Sequence, residues 1–192
     1  MKAFANEFGV QPSTLILDVG GTPFNWRLLD HLPDVTLLNI PDQRTGRDSQ
    51  GIRRVIGDGC SMPFDDASYP IVFSNSTIEH VGTWERQRQF AQEIRRVGRS
   101  YYVQTPNRWF FVEPHYLTPF IHWVPTPARR KLLRYGTVWG LLARPSAQRQ
   151  DERIAEIRLL TAKELGQLFP EATIRRERVL GLTKSLIAVH HA

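Results

Sequence analysis

Short, apolar, β-branched runs alternate with helical patterns over the first 106 residues of this chain, and this alternation limits the possible folds. Runs of this kind alternating with helices are typical of βαβ units around a parallel sheet. The sequence therefore predicts an α/β fold with helices on both faces of the sheet. The predicted strands are residues 15–19, 35–40, 53–56, 70–74 and 101–104.

Two helices are predicted between these strands. The first covers residues 26–32, with Asn25 as its amino-terminal cap. The second begins near Trp84 and has Thr83 as its cap. Gly98 follows its apolar face at the position where a helix commonly ends in a left-handed residue. We therefore expect Gly98 to close the second helix in that conformation.

The pattern changes after the fifth strand. Residues 107–156 are rich in aromatic residues and prolines and lack strand alternation, which predicts an insertion of short helices beside the sheet. A capping box, with Thr161 and Glu164 in register, then predicts another helix. Residues 172–179 and 185–190 read as two closing strands, which we expect to pair antiparallel.

The composition is that of an ordinary globular protein. The chain has 192 residues, of which 41% are apolar and 23% charged, so we expect a single domain over residues 1–192. We find no basic amino-terminal region followed by an apolar run, and no apolar stretch of bilayer length. The sequence thus predicts a cytoplasmic protein. Its single cysteine, Cys60, excludes an internal disulfide bond.

The net charge of +6 is unevenly distributed. Residues 1–119 are nearly balanced, whereas residues 120–192 carry 13 basic and 6 acidic side chains. A general nucleic-acid-binding surface is therefore not expected. A local basic patch would attract an anionic substrate or an anionic membrane surface, whereas the simpler interpretation is a solvated basic face.

Polar residues and glycines follow the first two predicted strands. Gly20 and Gly21 come directly after the first strand, where glycine lets the backbone approach a ligand at a helix amino terminus. Asp18 either orders this loop or binds the ammonium group of a ligand. Asn39 ends the second strand, where a carboxylate normally grips ribose hydroxyls, and Asp42 is the nearest substitute. Asn39 is otherwise a turn residue.

The segment after the third strand, residues 57–66, is the most informative one. Asp58 is placed to accept a hydrogen bond from an adenine amino group, and the backbone N–H of Gly59 can reach a ring nitrogen. The apolar step from Met62 to Phe64 would pack near the purine. We therefore predict an adenine site here rather than a plain loop.

The end of the fourth strand carries a cluster of polar residues. Ser74 and Asn75 lie where open α/β sheets bind ligands, beyond the carboxyl ends of the strands. The pair Glu79 and His80 follows and is the candidate proton acceptor. Alternatively, this pair only shapes the turn into the next helix.

These motifs together resemble the S-adenosylmethionine-dependent methyltransferases of the type 11 group. The matching runs are ILDVGG, GDGCSMPFDDASYPIVFSNSTIEHVG and residues 102–107. The resemblance implies a Rossmann-like, mostly parallel seven-stranded sheet with an antiparallel last strand, and S-adenosyl-L-methionine as cofactor across the ends of strands one, two and four. The implied cofactor contacts are Asp18, Gly20, Gly21, Asn39, Asp58, Gly59, Ser74 and Asn75.

The chain departs from that family in two places. Thr22 and Pro23 stand where relatives have further small residues, and Asn39 replaces the ribose carboxylate. A catalytically weak or inactive relative that binds cofactor or a partner protein is therefore the alternative function. A nicotinamide-dependent oxidoreductase is disfavoured because the third glycine of the dinucleotide fingerprint is missing.

The expected reaction is methyl transfer to a small-molecule or lipid-like acceptor, with His80 as first and Glu79 as second candidate base. We expect the acceptor pocket in the aromatic insertion, whose rings suit an apolar or ring-shaped acceptor and whose basic run at residues 129–131 suits an anionic one. The candidate acceptor residues are Trp109, Tyr116 and His115. No metal site is expected, because the spacing of the acidic and histidine residues at 113, 115 and 122 fits no standard one.

Overall fold

The structure, a computed structural model, describes residues 1–41, 52–113, 118–119, 124, 146 and 157–192. A seven-stranded sheet organises these residues, in the order β3-β2-β1-β4-β5-β9-β8. Its strands are β1 (Leu15–Val19), β2 (Asp34–Asn39), β3 (Ile52–Ile56), β4 (Tyr69–Asn75), β5 (Gly98–Pro106), β8 (Thr173–Val179) and β9 (Leu182–His190). A separate antiparallel pair joins β6 (Val112–Glu113) to β7 (Thr118–Pro119).

The pairing confirms the predicted Rossmann-like α/β fold. The first five strands pair in parallel, with β1 lying between β2 and β4. β9 is antiparallel to both of its neighbours, β5 and β8. The closing hairpin was thus predicted correctly. The strand order reverses between β1 and β4, and in open sheets of this kind ligands bind at the carboxyl edge beside such a point.

Helices cover both faces of the sheet, as predicted. The described helices are α1 (Lys2–Glu7), α2 (Pro23–Trp26), α3 (Trp84–Val97) and α4 (Ala162–Leu168), and Ile78–His80 forms a 3₁₀ turn. On one face, Phe90 and Ile94 of α3 and Leu165 of α4 pack in one buried cluster. On the other, Phe4 of α1 and Trp26 of α2 pack in a second cluster. Apolar residues of the central strands, such as Leu17, Leu38 and Val72, are buried between the two layers.

The first predicted helix is wrong in extent. Instead of residues 26–32, a single helical turn covers Pro23–Trp26, and Thr22 rather than Asn25 is its cap residue. Proline favours the first position of a helix because its φ angle is already helical. Trp26, which we expected to begin the helix, ends it, with its side chain buried and its indole N–H bonded to Asp18.

Gly98 also differs from the expectation. Thr83 caps α3 as predicted, because its hydroxyl accepts a hydrogen bond from the backbone N–H of Arg86. Gly98, however, has φ −94° and ψ 135°, so it is extended and begins β5 instead of closing α3 in a left-handed conformation. The glycine is required by space, because a Cβ atom there would lie 2.6 Å from Cγ2 of Val72.

The aromatic insertion predicted over residues 107–156 is described only in part. Its first residues extend β5, since the backbone N–H of Asn107 donates to the carbonyl of Lys184 at 2.9 Å. The chain rejoins the described part at residue 157, and Leu160 bridges to Asn107. The described part of the insertion holds the antiparallel β6–β7 pair instead of short helices, and the rest of the predicted insertion lies outside the described ranges.

The capping box of α4 supplies a test of local stability. The Thr161 hydroxyl accepts from the backbone N–H of Glu164 at 3.2 Å, and the Glu164 carboxylate accepts from the backbone N–H of Thr161 at 2.8 Å. We expect Thr161→Ala to lower the free energy of unfolding by about 1 kcal/mol, measured by urea titration. Thr161→Ser keeps the hydroxyl and serves as control. Equal losses in both variants would contradict a role for the cap.

Candidate functional site

Hydrogen bonds join the ends of the first three strands into one edge. The backbone N–H of Gly20 donates to the carbonyl of Leu38 at 2.9 Å. The side-chain amide of Asn39 donates to the carbonyl of Gly21 at 3.1 Å, and the backbone N–H of Gly57 donates to the carbonyl of Asn39 at 2.9 Å. The predicted cofactor residues after β1, β2 and β3 therefore lie side by side.

Both glycines of the first loop are dictated by their surroundings. Gly20 has φ +78°, a left-handed angle that residues with a Cβ rarely adopt. A Cβ atom at Gly20 would also overlap the Thr77 side chain, and one at Gly21 would overlap the Asp18 carboxylate. The loop therefore tolerates only glycine at these two positions, independently of any ligand.

The helix after this loop is a poor anion site. We expected free N–H groups at its amino terminus to face a ligand. α2 has only four residues and begins with Pro23, which has no N–H. The helix terminus therefore offers fewer backbone donors than expected, and its contact with a ligand stays a prediction.

Asp18 is the most perturbed group at this edge. Its side chain is fully buried, and the indole N–H of Trp26 donates to its Oδ2 at 2.7 Å. Its Oδ1 is buried without a hydrogen-bond partner in the described part of the chain. Burial raises the pKa of Asp18 to about 7, and the bond from Trp26 offsets part of that rise. Asp18 orders the glycine loop and keeps one oxygen available for a further donor.

Asn39 makes a contact that aspartate could not make. Its amide donates to the Gly21 carbonyl, so it fastens β2 to the glycine loop. A carboxylate at this position would place two acceptor oxygens together. The neutral residue is thus explained by the loop itself, and Asp42, the alternative ribose ligand, lies outside the described residues.

Asp58 is held by two protein donors. The backbone N–H of Cys60 donates to its Oδ1 at 2.9 Å, and Arg86 of α3 donates to its Oδ2 at 2.6 Å. Burial alone would raise the pKa of Asp58, but these bonds and the charge of Arg86 outweigh it and lower the pKa below the usual value. Asp58 is therefore ionised near neutral pH, and half-exposed. Sequence reasoning missed Arg86, which reaches Asp58 only because α3 crosses the loop that follows β3.

The residues after Asp58 are fixed by packing. A Cβ atom at Gly59 would lie 2.7 Å from the Phe90 ring and 3.0 Å from Val19, so glycine is needed where α3 crosses the loop. Met62 is buried in the same cluster and Phe64 packs against it. Cys60 is buried too. Burial raises the pKa of its thiol to about 11, so the nucleophilic thiolate is scarce near neutral pH.

Ser74 and Asn75 lie at the switch point but face different surroundings. The hydroxyl of buried Ser74 donates to the carbonyl of Val19 at 3.0 Å, and the Thr77 hydroxyl donates to the same carbonyl at 3.1 Å. Ser74 thus ties β4 to β1. Asn75 is half-buried and lines a cavity beyond the strand ends.

The structure separates Glu79 from His80. Glu79 is fully buried, and its carboxylate accepts a hydrogen bond from the Thr105 hydroxyl at 2.9 Å. His80 is exposed, because successive residues of the 3₁₀ turn point in different directions. Neither residue lines the cavity that Asn75 borders.

Arg158 is a second residue that sequence reasoning missed. Its guanidinium donates to Gln87 of α3 and to Glu164 of α4, each at 2.6 Å, and lies 4.8 Å from the centre of the Trp84 ring. Its backbone N–H donates to the carbonyl of Glu79 at 2.8 Å. Arg158 therefore joins the chain after the insertion to the turn that follows β4.

The cavity beside Asn75 has a volume of about 660 Å³, a size typical of small-molecule sites. Aromatic rings form much of its wall, and amide and hydroxyl side chains lie at the carboxyl ends of β4 and β5. Two charged residues of the closing hairpin, Glu177 and Lys184, also line it. The cavity lining includes Phe4, Phe73, Tyr102, Gln104, Phe110 and Ser185.

The predicted acceptor residues have different outcomes. Trp109 is mostly exposed and is not among the cavity-lining residues, whereas the next residue, Phe110, is. His115 and Tyr116 lie outside the described residues. Phe110 could have been identified from its place directly beyond β5. There the backbone N–H of Phe110 donates to the carbonyl of Asn107, and the side-chain amide of Asn107 ties the segment to β9.

Two kinds of site are not found in the described ranges. No group of three or more His, Cys, Asp or Glu side chains is arranged to hold a metal ion there. Among the same residues, no helix is both long and apolar enough to cross a membrane.

Comparison with protein families gives one match. Residues 25–100 match the family model described as a methyltransferase domain. The matched range contains Asn39, Asp58, Gly59, Ser74 and Asn75, and it begins after the glycine loop. No curated protein sequence matches the chain.

Solved structures confirm the fold over nearly the whole chain. A methyltransferase from Methanosarcina mazei, described as dependent on S-adenosylmethionine, is 14% identical with a TM-score of 0.55, over 97% of this chain and 94% of that one. Another from Aquifex aeolicus is 13% identical with a TM-score of 0.53, over 98% and 87%. A Rhodobacter sphaeroides protein named for zinc-dependent alcohol dehydrogenases is 12% identical with a TM-score of 0.63, over 98% and 88%. Fold likeness at such identities does not specify the reaction.

The buried carboxyl of Asp18 should make stability depend on pH. The folded chain keeps the Asp18 proton up to about pH 7, whereas the unfolded chain loses it near 3.8. The folded state therefore binds more protons in this window, so the Asp18 contribution falls as pH rises through it. We compare the unfolding free energy of Asp18→Asn with that of the parent at each pH. The difference, variant minus parent, should rise between pH 3.8 and pH 7 by at most about 4 kcal/mol.

Urea titrations of both proteins at a series of pH values measure this difference. Asparagine can still accept the Trp26 bond, so any constant offset reflects packing and only the slope reports the titration. Parallel pH profiles would show that Asp18 does not titrate in this range.

Proposed function

We propose that this chain is an S-adenosylmethionine-dependent methyltransferase, which transfers a methyl group from S-adenosyl-L-methionine to a small acceptor bound in the cavity beside β4 and β5. The observation that carries the proposal is the hydrogen-bonded edge that joins the glycine loop, Asn39 and the Gly57–Gly59 loop. That edge lies at the switch point of the sheet, and the family match covers its second and third members.

The residues present fit the cofactor. An aminoacyl group with an ammonium cation suits the glycine loop, where buried Asp18 has an oxygen without a partner in the described part of the chain. The Oδ1 atom of Asn39 remains to accept a ribose hydroxyl, since its amide nitrogen is used for Gly21. Asp58 and the N–H of Gly59 would take the adenine edge. Ser74 acts on this site through the carbonyl of Val19.

The chemistry needs mainly alignment. When bound, the cofactor supplies a methyl group that its sulfonium already activates, so the chain has to orient the acceptor and exclude water. Asn75 lies where the cofactor edge and the cavity meet, and Gln104 continues the polar rim. Among the predicted bases, His80 remains the proposed proton acceptor, because its side chain is exposed, although it lies outside the cavity lining. Glu79 is instead proposed to position Thr105.

The acceptor class follows from the cavity wall. Phe73, Tyr102 and Phe110 offer rings that pack against an apolar or ring-shaped body. Lys184 adds a cation at the rim, opposite in sign to Glu177. We therefore propose an acceptor with an apolar body and an anionic group. Trp109, His115 and Tyr116 stay proposed as outer acceptor contacts from the insertion.

A second candidate function has its own support. Pro23 has no backbone N–H, so the glycine loop has one donor fewer. The side-chain amide of Asn39 is bonded to the Gly21 carbonyl, and Arg86 is bonded to one oxygen of Asp58. Each feature reduces the grip on a cofactor. The alternative is a catalytically weak or inactive relative that binds cofactor or a partner protein.

Two measurements distinguish the candidates. Isothermal titration with S-adenosylhomocysteine tests the cofactor site directly, and methyl transfer to a panel of lipid, quinone, phenolic and sugar acceptors tests catalysis. Binding with turnover supports the enzyme. Binding without turnover of any acceptor class favours the inactive relative, and a folded chain that binds no cofactor contradicts the proposal.

The carboxylate of Asp58 should contribute more to cofactor binding than the ion pair between Asp58 and Arg86 does. We expect Asp58→Ala to weaken binding of S-adenosylhomocysteine by about 1–3 kcal/mol through loss of the adenine hydrogen bond, roughly a 5- to 150-fold rise in Kd. Isothermal titration measures it.

The control for this variant is Arg86→Ala, which breaks the same ion pair and keeps the carboxylate. Since half-exposed ion pairs contribute little, we expect Arg86→Ala to keep affinity within a few-fold of the parent. If both variants lose affinity equally, the ion pair and not an adenine contact is responsible.

Lys184 should select for acceptor charge. We expect Lys184→Ala to raise KM for an anionic acceptor by roughly tenfold, the loss of one hydrogen bond to a charged group, while KM for a neutral acceptor and the Kd of S-adenosylhomocysteine stay unchanged. Lys163→Ala, an exposed lysine on α4 that does not line the cavity, is the matched control. An equal KM effect on neutral and anionic acceptors would exclude charge recognition.

A further inference from the structure

The turn between β8 and β9 carries an unexpected residue. Leu180 has φ +51° and Gly181 has φ +80°, and these two residues connect Val179 to its strand partner Leu182. Two positive φ angles in a two-residue hairpin loop are those of a type I′ turn, which strongly prefers Asn-Gly. A leucine in the first position is unfavourable for the backbone.

The same leucine is unfavourable for solvation. Its side chain is 97% exposed, and its neighbours Leu182 and Val179 are 52% and 44% exposed. Leu180 therefore stabilises neither the turn nor the core. An outlier of this kind in both backbone and burial is an argument for a role outside the folded monomer.

A second exposed apolar segment lies beside this turn. Asn107 donates from its side-chain amide to the carbonyl of Thr183 at 2.9 Å, and its Oδ1 accepts the backbone N–H of Trp109 at 3.3 Å. One side chain thus connects the start of β9 with Trp109, which is 63% exposed. We call Val179, Leu180, Leu182 and Trp109 together the apolar edge.

Cations surround the apolar edge. Arg176 and Arg178 lie on β8, and in the described part of the chain they form no ion pair. Arg108 lies 5.9 Å from the centre of the Trp109 ring. Glu177 is the one acidic residue between Thr173 and His190. The region is therefore apolar at its tip and positive around it.

We propose that the apolar edge docks onto an anionic lipid surface. Leucine and valine at the tip would enter the boundary between headgroups and acyl chains, a tryptophan suits the interface itself, and the cations would face anionic headgroups. A bilayer of this charge accepts all three features at once. An acidic protein partner would satisfy the cations, but it would give no separate reason for an exposed leucine in a left-handed turn.

The hairpin also connects this surface to the cavity. Glu177, Lys184 and Ser185 belong to β8 and β9 and line the cavity beside β4 and β5. Docking through the hairpin would therefore hold the cavity close to the lipid surface. This docking, which rests on the proposed function, favours an acceptor that resides in or at a membrane.

Vesicle sedimentation of the full chain tests the proposal. We expect the parent to sediment with vesicles of phosphatidylcholine mixed with phosphatidylglycerol, to bind much less to pure phosphatidylcholine, and to lose binding as salt is raised. Leu180→Asn should reduce binding to the mixed vesicles at least tenfold. Asparagine is favoured in the left-handed region, so the variant should be as thermally stable as the parent or more so.

The matched control is Ile56→Ser. Ile56 is also strongly exposed, but it lies on β3 at the opposite end of the sheet order, so its replacement should leave vesicle binding unchanged. Arg178→Gln tests the charge contribution separately and should weaken binding to mixed vesicles only.

Several results would overturn the proposal. These are no sedimentation of the parent with mixed vesicles, equal binding by Leu180→Asn, or equal loss in Ile56→Ser. Sedimentation velocity that shows self-association of the parent, abolished by Leu180→Asn, would assign the apolar edge to a second copy of the chain instead. Titration of each variant with S-adenosylhomocysteine keeps the outcome separate from the proposed methyltransferase function, since the apolar edge does not touch the cofactor residues.

Discussion

The hydrogen bond from Trp26 to the buried carboxyl of Asp18 is the interaction on which the site and its surroundings depend. The Asp18 carboxyl lies against Gly21 of the glycine loop, and the bond holds the indole ring in the second cluster, where it packs against Phe4 and Phe73. A carboxyl without solvent is costly unless bonded or neutral. This fold accepts that cost at the strand end where a ligand would approach.

At the same edge, single residues make structural contacts and also have atoms left for the proposed ligand. Asn39 fastens the glycine loop with its nitrogen and has an oxygen to offer, and Asp58 is bonded to Arg86 while it remains half-exposed. Groups fixed by neighbours lose little entropy when a ligand binds. Asn39, which departs from the methyltransferases that the chain resembles, therefore has a local explanation in its contact with the glycine loop.

The fold was predictable from the sequence wherever a local pattern determined it. Buried apolar runs located the strands, and the Thr161–Glu164 spacing located a capping box. Predictions failed where a distant contact decided the outcome. Trp26 ends its helix because Asp18 holds its ring, and Gly98 is extended because Val72 fills the space of a side chain. Arg86 and Arg158 were missed because their partners are far away in the sequence.

The strand-end motifs and the fold class could be predicted from the sequence alone, because both depend on residue type and short spacing. The tertiary structure decided which of those residues meet: Asn39 with Gly21, Asp58 with Arg86, and Glu79 apart from His80. It also decided that an exposed leucine lies in a left-handed turn surrounded by cations. The physical reason is that contact, burial and charge environment arise from packing between elements, which no local pattern contains.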